Sequence, residues 1–165
     1  MELLKHEYSK FYPKRESWLY KKEETWYKEV HIFDENVEPI DMIMLQKYID
    51  QYDWICKPSS LQFENGVMAY EMPDYSHGKN LLEVPYEQQL GHLNELITIF
   101  QTAFCFCTDS VFMHNDFRAH NIFIIDGHVK LIDLDSFRWI KREYYPNWVH
   151  STINDLTGMF NLNSL

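Results

Sequence analysis

Residues 113–137 read Met-His-Asn-Asp-Phe-Arg-Ala-His-Asn-Ile-Phe-Ile-Ile-Asp-Gly-His-Val-Lys-Leu-Ile-Asp-Leu-Asp-Ser-Phe. Two apolar, β-branched runs, Ile122 to Ile125 and His128 to Ile132, flank Asp126-Gly127. That dipeptide tolerates the positive φ angles of a tight two-residue turn, so the stretch predicts a β-hairpin whose second strand ends on Asp133. A hairpin brings its exit back to its start. Asp133 is therefore expected beside Asn121, with the polar loop that precedes the first strand at the same end.

That loop carries candidate chemistry. His114, Asp116 and Asn121 obey the spacing H-x-D-x-x-x-x-N, in which a phosphoryl-transfer loop places a base and a metal ligand. Asn121 and Asp133 offer converging oxygen donors of the hard kind that Mg²⁺ takes, one or two from protein and the rest from water and substrate phosphates. Asp116 is placed to accept the proton of an attacking hydroxyl, or to hold that hydroxyl in line with phosphorus. Asp and Asn are also ordinary turn residues. The conjunction of loop, apolar hairpin and exit acid is what favours a site over a plain turn.

On these residues the chain resembles the protein-kinase-like phosphotransferase superfamily, which spans protein kinases, aminoglycoside and choline phosphotransferases, and bacterial lipopolysaccharide-core kinases. His114-Asn115-Asp116 is similar to its H-R-D or H-G-D, Asn121 to its metal-binding Asn, and Leu131-Ile132-Asp133-Leu134-Asp135 to its D-F-G or I-D-W-x-D segment. Asn115 stands where regulated protein kinases carry Arg, and Asp135 replaces the Gly of D-F-G, as in the small-molecule kinases. The resemblance implies an α+β, two-lobed protein-kinase-like fold in reduced form. Residues 1–72 would be an N-lobe of small antiparallel sheet plus one helix that binds nucleotide. Residues 73–165 would be a truncated, mainly helical C-lobe with the catalytic loop and metal-binding hairpin. It further implies ATP and Mg²⁺ as cofactors, Asp116 and Arg118 as catalytic residues, and Asn121 and Asp133 as metal ligands. Arg118 would stabilise charge on the transferring group, and His114 would hold backbone.

Upstream, aromatic alternation from Glu7 to Phe33 predicts three antiparallel strands. Lys28 lies in the third, where the family's Lys grips the α- and β-phosphates of ATP; on residue grounds alone it serves as well on the solvent side of a small sheet. The spacing of Ile40, Ile43, Met44, Lys47 and Tyr48 predicts a helix over Glu38 to Tyr52. Its Asp41 is the acid nearest the place of the family's helical Glu, the strand Lys partner, with Glu38 the next candidate. No glycine precedes Gly66, so the first turn cannot close backbone amides over phosphates as G-x-G-x-x-G does. Lys14 and Arg15 occupy that turn, either as side-chain phosphate ligands or as an exposed basic turn.

Leu61 to Phe63 and Val67 to Tyr70 predict a second hairpin, turning at Asn65-Gly66. The segment Met68 to Asp74 is similar to the family's adenine-recognising hinge, with Glu71 and Met72 at its centre; its plain reading is a strand leading into a Pro-containing linker. A long helix opening at Pro85 is expected to bury Leu90, Leu93, Ile97, Phe100 and Phe104. Ser151 to Phe160, with Asp155, predicts a short one.

Length and composition bound the rest. The chain has 165 residues, one domain's worth. A net charge of −10 disfavours nucleic acid and anionic membrane as partners. The passage Leu93 to Met113 is too polar to insert in a membrane. Cys56, Cys105 and Cys107 read as reduced thiols of a cytoplasmic protein with no signal-peptide pattern at its start. The expected partners are a nucleotide and a protein or small-molecule acceptor. Trp139, Ile140, Tyr144, Tyr145, Trp148 and Val149 add either a homodimer or acceptor-docking surface, or a patch that folds onto the long helix and completes the core. The rival from another class is a pseudokinase-type nucleotide- or protein-binding module without transfer. The missing Gly-rich loop favours it, and retention of Asp116, Asn121 and Asp133 together opposes it.

Overall fold

Alternating aromatic and charged residues give three consecutive strands, β1 (Glu2–Ser9), β2 (Arg15–Lys22) and β3 (Thr25–Ile32), paired as an antiparallel meander. In the computed structural model, which describes residues 1–9, 15–33, 40–73, 75 and 77–160 (side chains of 157–160 excepted), α1 (Met42–Gln51) follows. Then come β4 (Ser60–Glu64) and β5 (Val67–Pro73), joined at Asn65-Gly66 with φ of 52° and 77°. Both angles are positive, as a type I′ hairpin turn requires. β5 inserts beside β3, so the sheet runs β1-β2-β3-β5-β4.

Beyond residue 73 the expectation of a mainly helical lobe is overturned. β6 (Lys79–Asn80), β9 (Ile122–Ile125) and β10 (His128–Leu131) form one antiparallel sheet in the order β10-β9-β6. β7 (Cys105–Phe106), β8 (Ser110–His114) and β11 (Phe137–Lys141) form another, in the order β11-β8-β7. Only α2 (Tyr86–Gly91), α3 (Leu93–Thr102) and α4 (Tyr145–Phe160) are α-helical here. The described chain is thus a sheet-rich small domain with three antiparallel sheets and four short helices, and not a two-lobed kinase-like fold with a helical C-lobe.

The reason lies in the side chains. Val111, Phe112, Met113, Ile122, Val129, Leu131 and Phe137 are buried, and β-branched and aromatic residues pack well on a pleated surface. The helix expected from Pro85 also breaks. Gly91, which costs helix about 1 kcal/mol relative to Ala, ends α2, and α3 restarts after His92. Leu96 and Ile99 are buried and the expected Leu93 and Phe100 pack against the core, whereas Leu90 and Ile97 face solvent and Phe104 lies past the helix end.

One hydrophobic cluster runs on both sides of residue 72. It joins Val30, Met68, Tyr70 and Met72 of the large sheet with Leu45, Tyr48 and Ile49 of α1, and with Leu96, Phe112, Phe117, Leu134 and Phe137. Backbone hydrogen bonds from Cys56 to Leu131 and from Leu131 to Trp54, at 3.1 and 2.7 Å, tie the two halves together. Tyr145 and Trp148 of α4 meet Phe104 edge-on at 5.4 and 5.5 Å, so much of the late aromatic run folds inward. Among the described residues no helix is long and apolar enough to cross a membrane.

Candidate active site

The hairpin turns at Asp126-Gly127, with φ of 52° and 81°, and pairs His128 with Ile125 and Leu131 with Ile122. Its exit returns to the loop: Ile132 N–H donates to the Asn121 carbonyl at 3.0 Å. Phe137 pairs with His114, and Asn115 N–H donates to the Ser136 carbonyl at 2.8 Å, so residues 114–121 and 132–137 are sewn into one unit.

His114 sits inside that unit, 1% exposed. Its Nε2 lies 2.8 Å from the Ile132 carbonyl, and its Nδ1 accepts the Asp116 N–H at 3.1 Å. Those partners require the neutral tautomer with the proton on Nε2. Burial pushes the imidazole's pKa down, against the pull of Asp133 and the Ile132 carbonyl, and keeps it uncharged. The ring thereby spaces Asp116 from Asp133. Asn121 Nδ2 donates to both the backbone oxygen and Oδ2 of Asp116 at 2.9 Å. His120 Nε2 stands 3.1 Å from the same carboxylate, and Arg118 Nε 3.3 Å.

Asp133 has φ 73°, the left-handed region that Asp and Asn reach more readily than most residues. The bend starts a single 3₁₀ turn, Leu134–Ser136, and aims Asp133 and Asp135 toward the large sheet. Lys28 Nζ donates to Asp133 Oδ1 and, at 2.8 Å, to Asp135 Oδ1. Ser136 Oγ donates to Asp133 Oδ2 at 2.8 Å. Asp135 is fully buried and accepts further bonds from Tyr70 hydroxyl and Arg15 Nη1, each at 3.0 Å. Two cations thus meet two carboxylates. Burial alone raises the Asp133 pKa, but the Lys28 charge outweighs it and holds the carboxyl well below the usual range. Burial likewise lowers that of Lys28, and Asp133 with Asp135 drives it well above its ordinary value.

A cleft of about 400 Å³ opens over this cluster. Arg15, Trp26, Lys28 and Met72 line it from the sheet, and Asp116, Asn121 and Asp133 from the opposite wall. Asn121 and Asp133 are the residues that could hold a divalent cation here. The Asn121 amide donates through nitrogen, which leaves Oδ1 without a hydrogen-bond donor among the described residues, in the same cleft as the Asp133 carboxylate. No group of three or more His, Cys, Asp or Glu that could hold a metal ion occurs among the described residues. Mg²⁺ is held in general by one or two protein oxygens, with water and phosphate completing its shell.

Among the described residues, three expected site residues stand outside the lining of the cleft: Asp41, Glu71 and Arg118. Asp41 does not meet Lys28: its Oδ1 caps α1 by accepting Met44 N–H at 3.0 Å, and its Oδ2 accepts from Trp139 Nε1 at 2.9 Å. Asp133 and Asp135 hold Lys28 instead. Glu38, Lys14 and Asp74 lie outside the described residues. In β5 burial alternates, so Met72 faces the cleft and Glu71 the other side. The Glu71 carbonyl accepts from Ser59 N–H at 2.8 Å and from the Ser59 hydroxyl at 3.4 Å. Arg118 is 59% exposed and rests on Asp116 at the rim. Two cluster members went unread in the sequence, Tyr70 and the ion-pairing role of Asp135. Tyr70 is the cross-strand neighbour of Lys28, a signal available once β3 and β5 are paired. No family model matches the chain, and no curated protein sequence matches it.

Proposed function

We propose that the chain is a phosphotransferase that uses Mg²⁺-bound ATP to phosphorylate a hydroxyl of a protein or small-molecule acceptor, the activity implied by its resemblance to the protein-kinase-like superfamily. One observation carries this reading: Lys28 and Asp133, 105 residues apart, close one cleft together with Asp116 and Asn121. Electrostatics supports the metal requirement. The lining holds Lys5, Arg15 and Lys28 against Glu7, Asp116 and Asp133, with Asp135 beneath. A free triphosphate would add charge to a site already balanced or slightly negative, so it needs a divalent counter-ion. When bound, Mg²⁺ supplies that counter-charge and polarises the transferring phosphoryl.

The protein's own part is positioning. Lys28 neutralises phosphate oxygens, and Met72 and Trp26 offer the apolar wall for a base. Asp116, fixed by Asn121, holds the acceptor hydroxyl and takes its proton as that oxygen bonds to the γ-phosphorus. The bond from phosphorus to the bridging oxygen breaks, and ADP leaves with the electron pair. Arg118 at the rim stabilises the charge that accumulates on the moving group. The three cysteines are free thiols, in keeping with the reducing cytoplasm.

The second reading, a nucleotide-binding module without transfer, draws on the internal pairing of Lys28 with Asp133 and Asp135, which a nucleotide must compete against. ATP hydrolysis and transfer by the purified chain, measured with Mg²⁺ and with chelator, separate the two. Mg²⁺-dependent turnover lost in Asp116→Asn supports transfer; Mg·ATP binding without turnover supports the module; absence of nucleotide binding overturns both.

A further inference from the structure

We propose that Arg15 is the phosphate-gripping residue of the cleft, a side-chain substitute for the glycine-loop amides that this chain lacks, and that Asp135 positions it; the inference rests on the nucleotide reading above. Three observations meet here. First, no glycine precedes Gly66, so no turn between β1, β2 and β3 can wrap backbone N–H groups around phosphate in the glycine-rich manner.

Second, Arg15 lines the cleft on the same sheet face as Ser17 and Leu19, and Leu19 pairs with Lys28. Reading along the sheet, Trp26 and Met72 lie toward one end, Lys28 and Tyr70 in the middle, and Arg15 at the other. A base against Trp26 and Met72 therefore sends its phosphates past Lys28 toward Arg15. Asp116 and Asp133 line the same cleft, so an anion gripped by Arg15 lies at the end that holds the proposed acceptor-orienting carboxylate.

Third, the guanidinium is anchored but not saturated. Nη1 donates to the buried Asp135 at 3.0 Å, and the described residues give its other nitrogens no hydrogen-bond partner. Arg carries five N–H donors in a rigid fork, matched to the oxygens of phosphate. One arm held by Asp135 fixes the plane, and the remaining arms are presented to the cleft, where the side chain is 27% exposed. Asp135 keeps Lys28 and Tyr70 on its other oxygen, so it need not release Arg15 to remain paired. A group fixed in its binding geometry before the ligand arrives loses less entropy when it binds.

The test is calorimetry of the full chain with three probes: Mg·ATP, inorganic tripolyphosphate with Mg²⁺, and adenosine. Arg15→Ala is expected to weaken Mg·ATP and tripolyphosphate by about 10- to 100-fold, the scale of one lost charge-assisted contact, and to leave adenosine unchanged. Arg15→Lys should recover part of the loss, because it restores charge without the fork. Should Arg15→Ala fail to fold, as judged by its melting curve, Arg15→Lys and Arg15→Gln make the same comparison. Wild-type affinity for Mg·ATP retained in every Arg15 variant overturns the inference and leaves the proposed function standing. Arg15-dependent binding of tripolyphosphate with no binding of ATP or adenosine overturns the nucleotide reading and leaves the anion grip. No binding of any probe to the wild type overturns both.

Discussion

Asp133→Asn removes one charge at nearly constant shape from the most connected point of the site. Asn is among the few residues that accept the φ of 73° found there, so the backbone keeps its bend. Lys28 loses one carboxylate and keeps the other, Asp135, at 2.8 Å. Stripping one partner from a buried ion pair costs about 3–5 kcal/mol when nothing replaces it. With Asp135 still in place, we expect a loss of about 2 kcal/mol. At about 2–4 °C per kcal/mol for a chain of this size, Tm falls by about 4–8 °C. Because Asp133 has its pKa depressed in the folded state, its contribution is fully present above the unfolded carboxyl value near pH 4 and is lost as pH falls below it. The gap between wild type and variant should therefore close under acid.

The functional signature is distinct. Mg·ATP affinity falls by at least about tenfold, the lower end of what even an outer partner of a metal costs, whereas ATP in chelator binds no more weakly than to the wild type, since one negative charge has gone. Calorimetry in both conditions, with melting curves from pH 3 to 7, reads all of this. Equal Mg·ATP affinity in wild type and variant would refute the metal assignment; an unchanged Tm would refute the Lys28 pair.

Asp116→Asn should leave Mg·ATP affinity within about threefold and lower transfer by about 10²–10⁴; equal loss of both, by calorimetry and steady-state kinetics, would make Asp116 structural. His114 has a depressed pKa in the folded state, so below pH 6.5 the unfolded chain binds more protons and stability falls with pH. The Tm difference between wild type and His114→Gln should narrow from pH 7.5 to 5.5, and a constant difference would count against a neutral buried ring. Asn115 offers no guanidinium to a phosphorylated segment, so phosphatase treatment should not reduce turnover, and its abolition would contradict this. Replacing Tyr144, Tyr145 and Trp148 together by Ser should cost about 3 kcal/mol or more through the lost packing on Phe104, with a monomer mass in light scattering before and after. A dimer that dissociates on substitution would restore the interface reading.

What was legible in the sequence is what local chemistry decides. Asp126-Gly127 and Asn65-Gly66 fix their hairpins through positive φ angles, and the first of these alone places Asp133 beside Asn121. What was not legible depends on distant partners. The pairing of β11 with β8 and of β6 with β9 joins segments separated by helices and loops, and short apolar runs such as residues 110–114 carry no period that separates strand from buried helix. The helical C-terminal half was an inference from resemblance, and side-chain packing ruled otherwise. Asp41 shows a rival local signal: an Asp just before an apolar helix is an N-cap, and capping claimed it. Asp135 reads as a motif letter until the fold sets Lys28, Tyr70 and Arg15 around it.

The continuity of the core across residue 72 governs how the site can move. Its walls are not separate bodies on a hinge: Val30, Tyr70 and Met72 on one side share packing with Phe117, Leu134 and Phe137 on the other. Swinging them apart would expose several buried side chains at about 1.5–3 kcal/mol each, more than a ligand of modest affinity returns. Entry and exit then fall to a small part, the rotamer of Lys28 beside the fixed Arg15. Side-chain flips are fast, and domain hinges work in microseconds to milliseconds. On the proposed reading, ligand exchange is paced by how quickly the Lys28 ion pairs unlatch, not by the opening of a jaw.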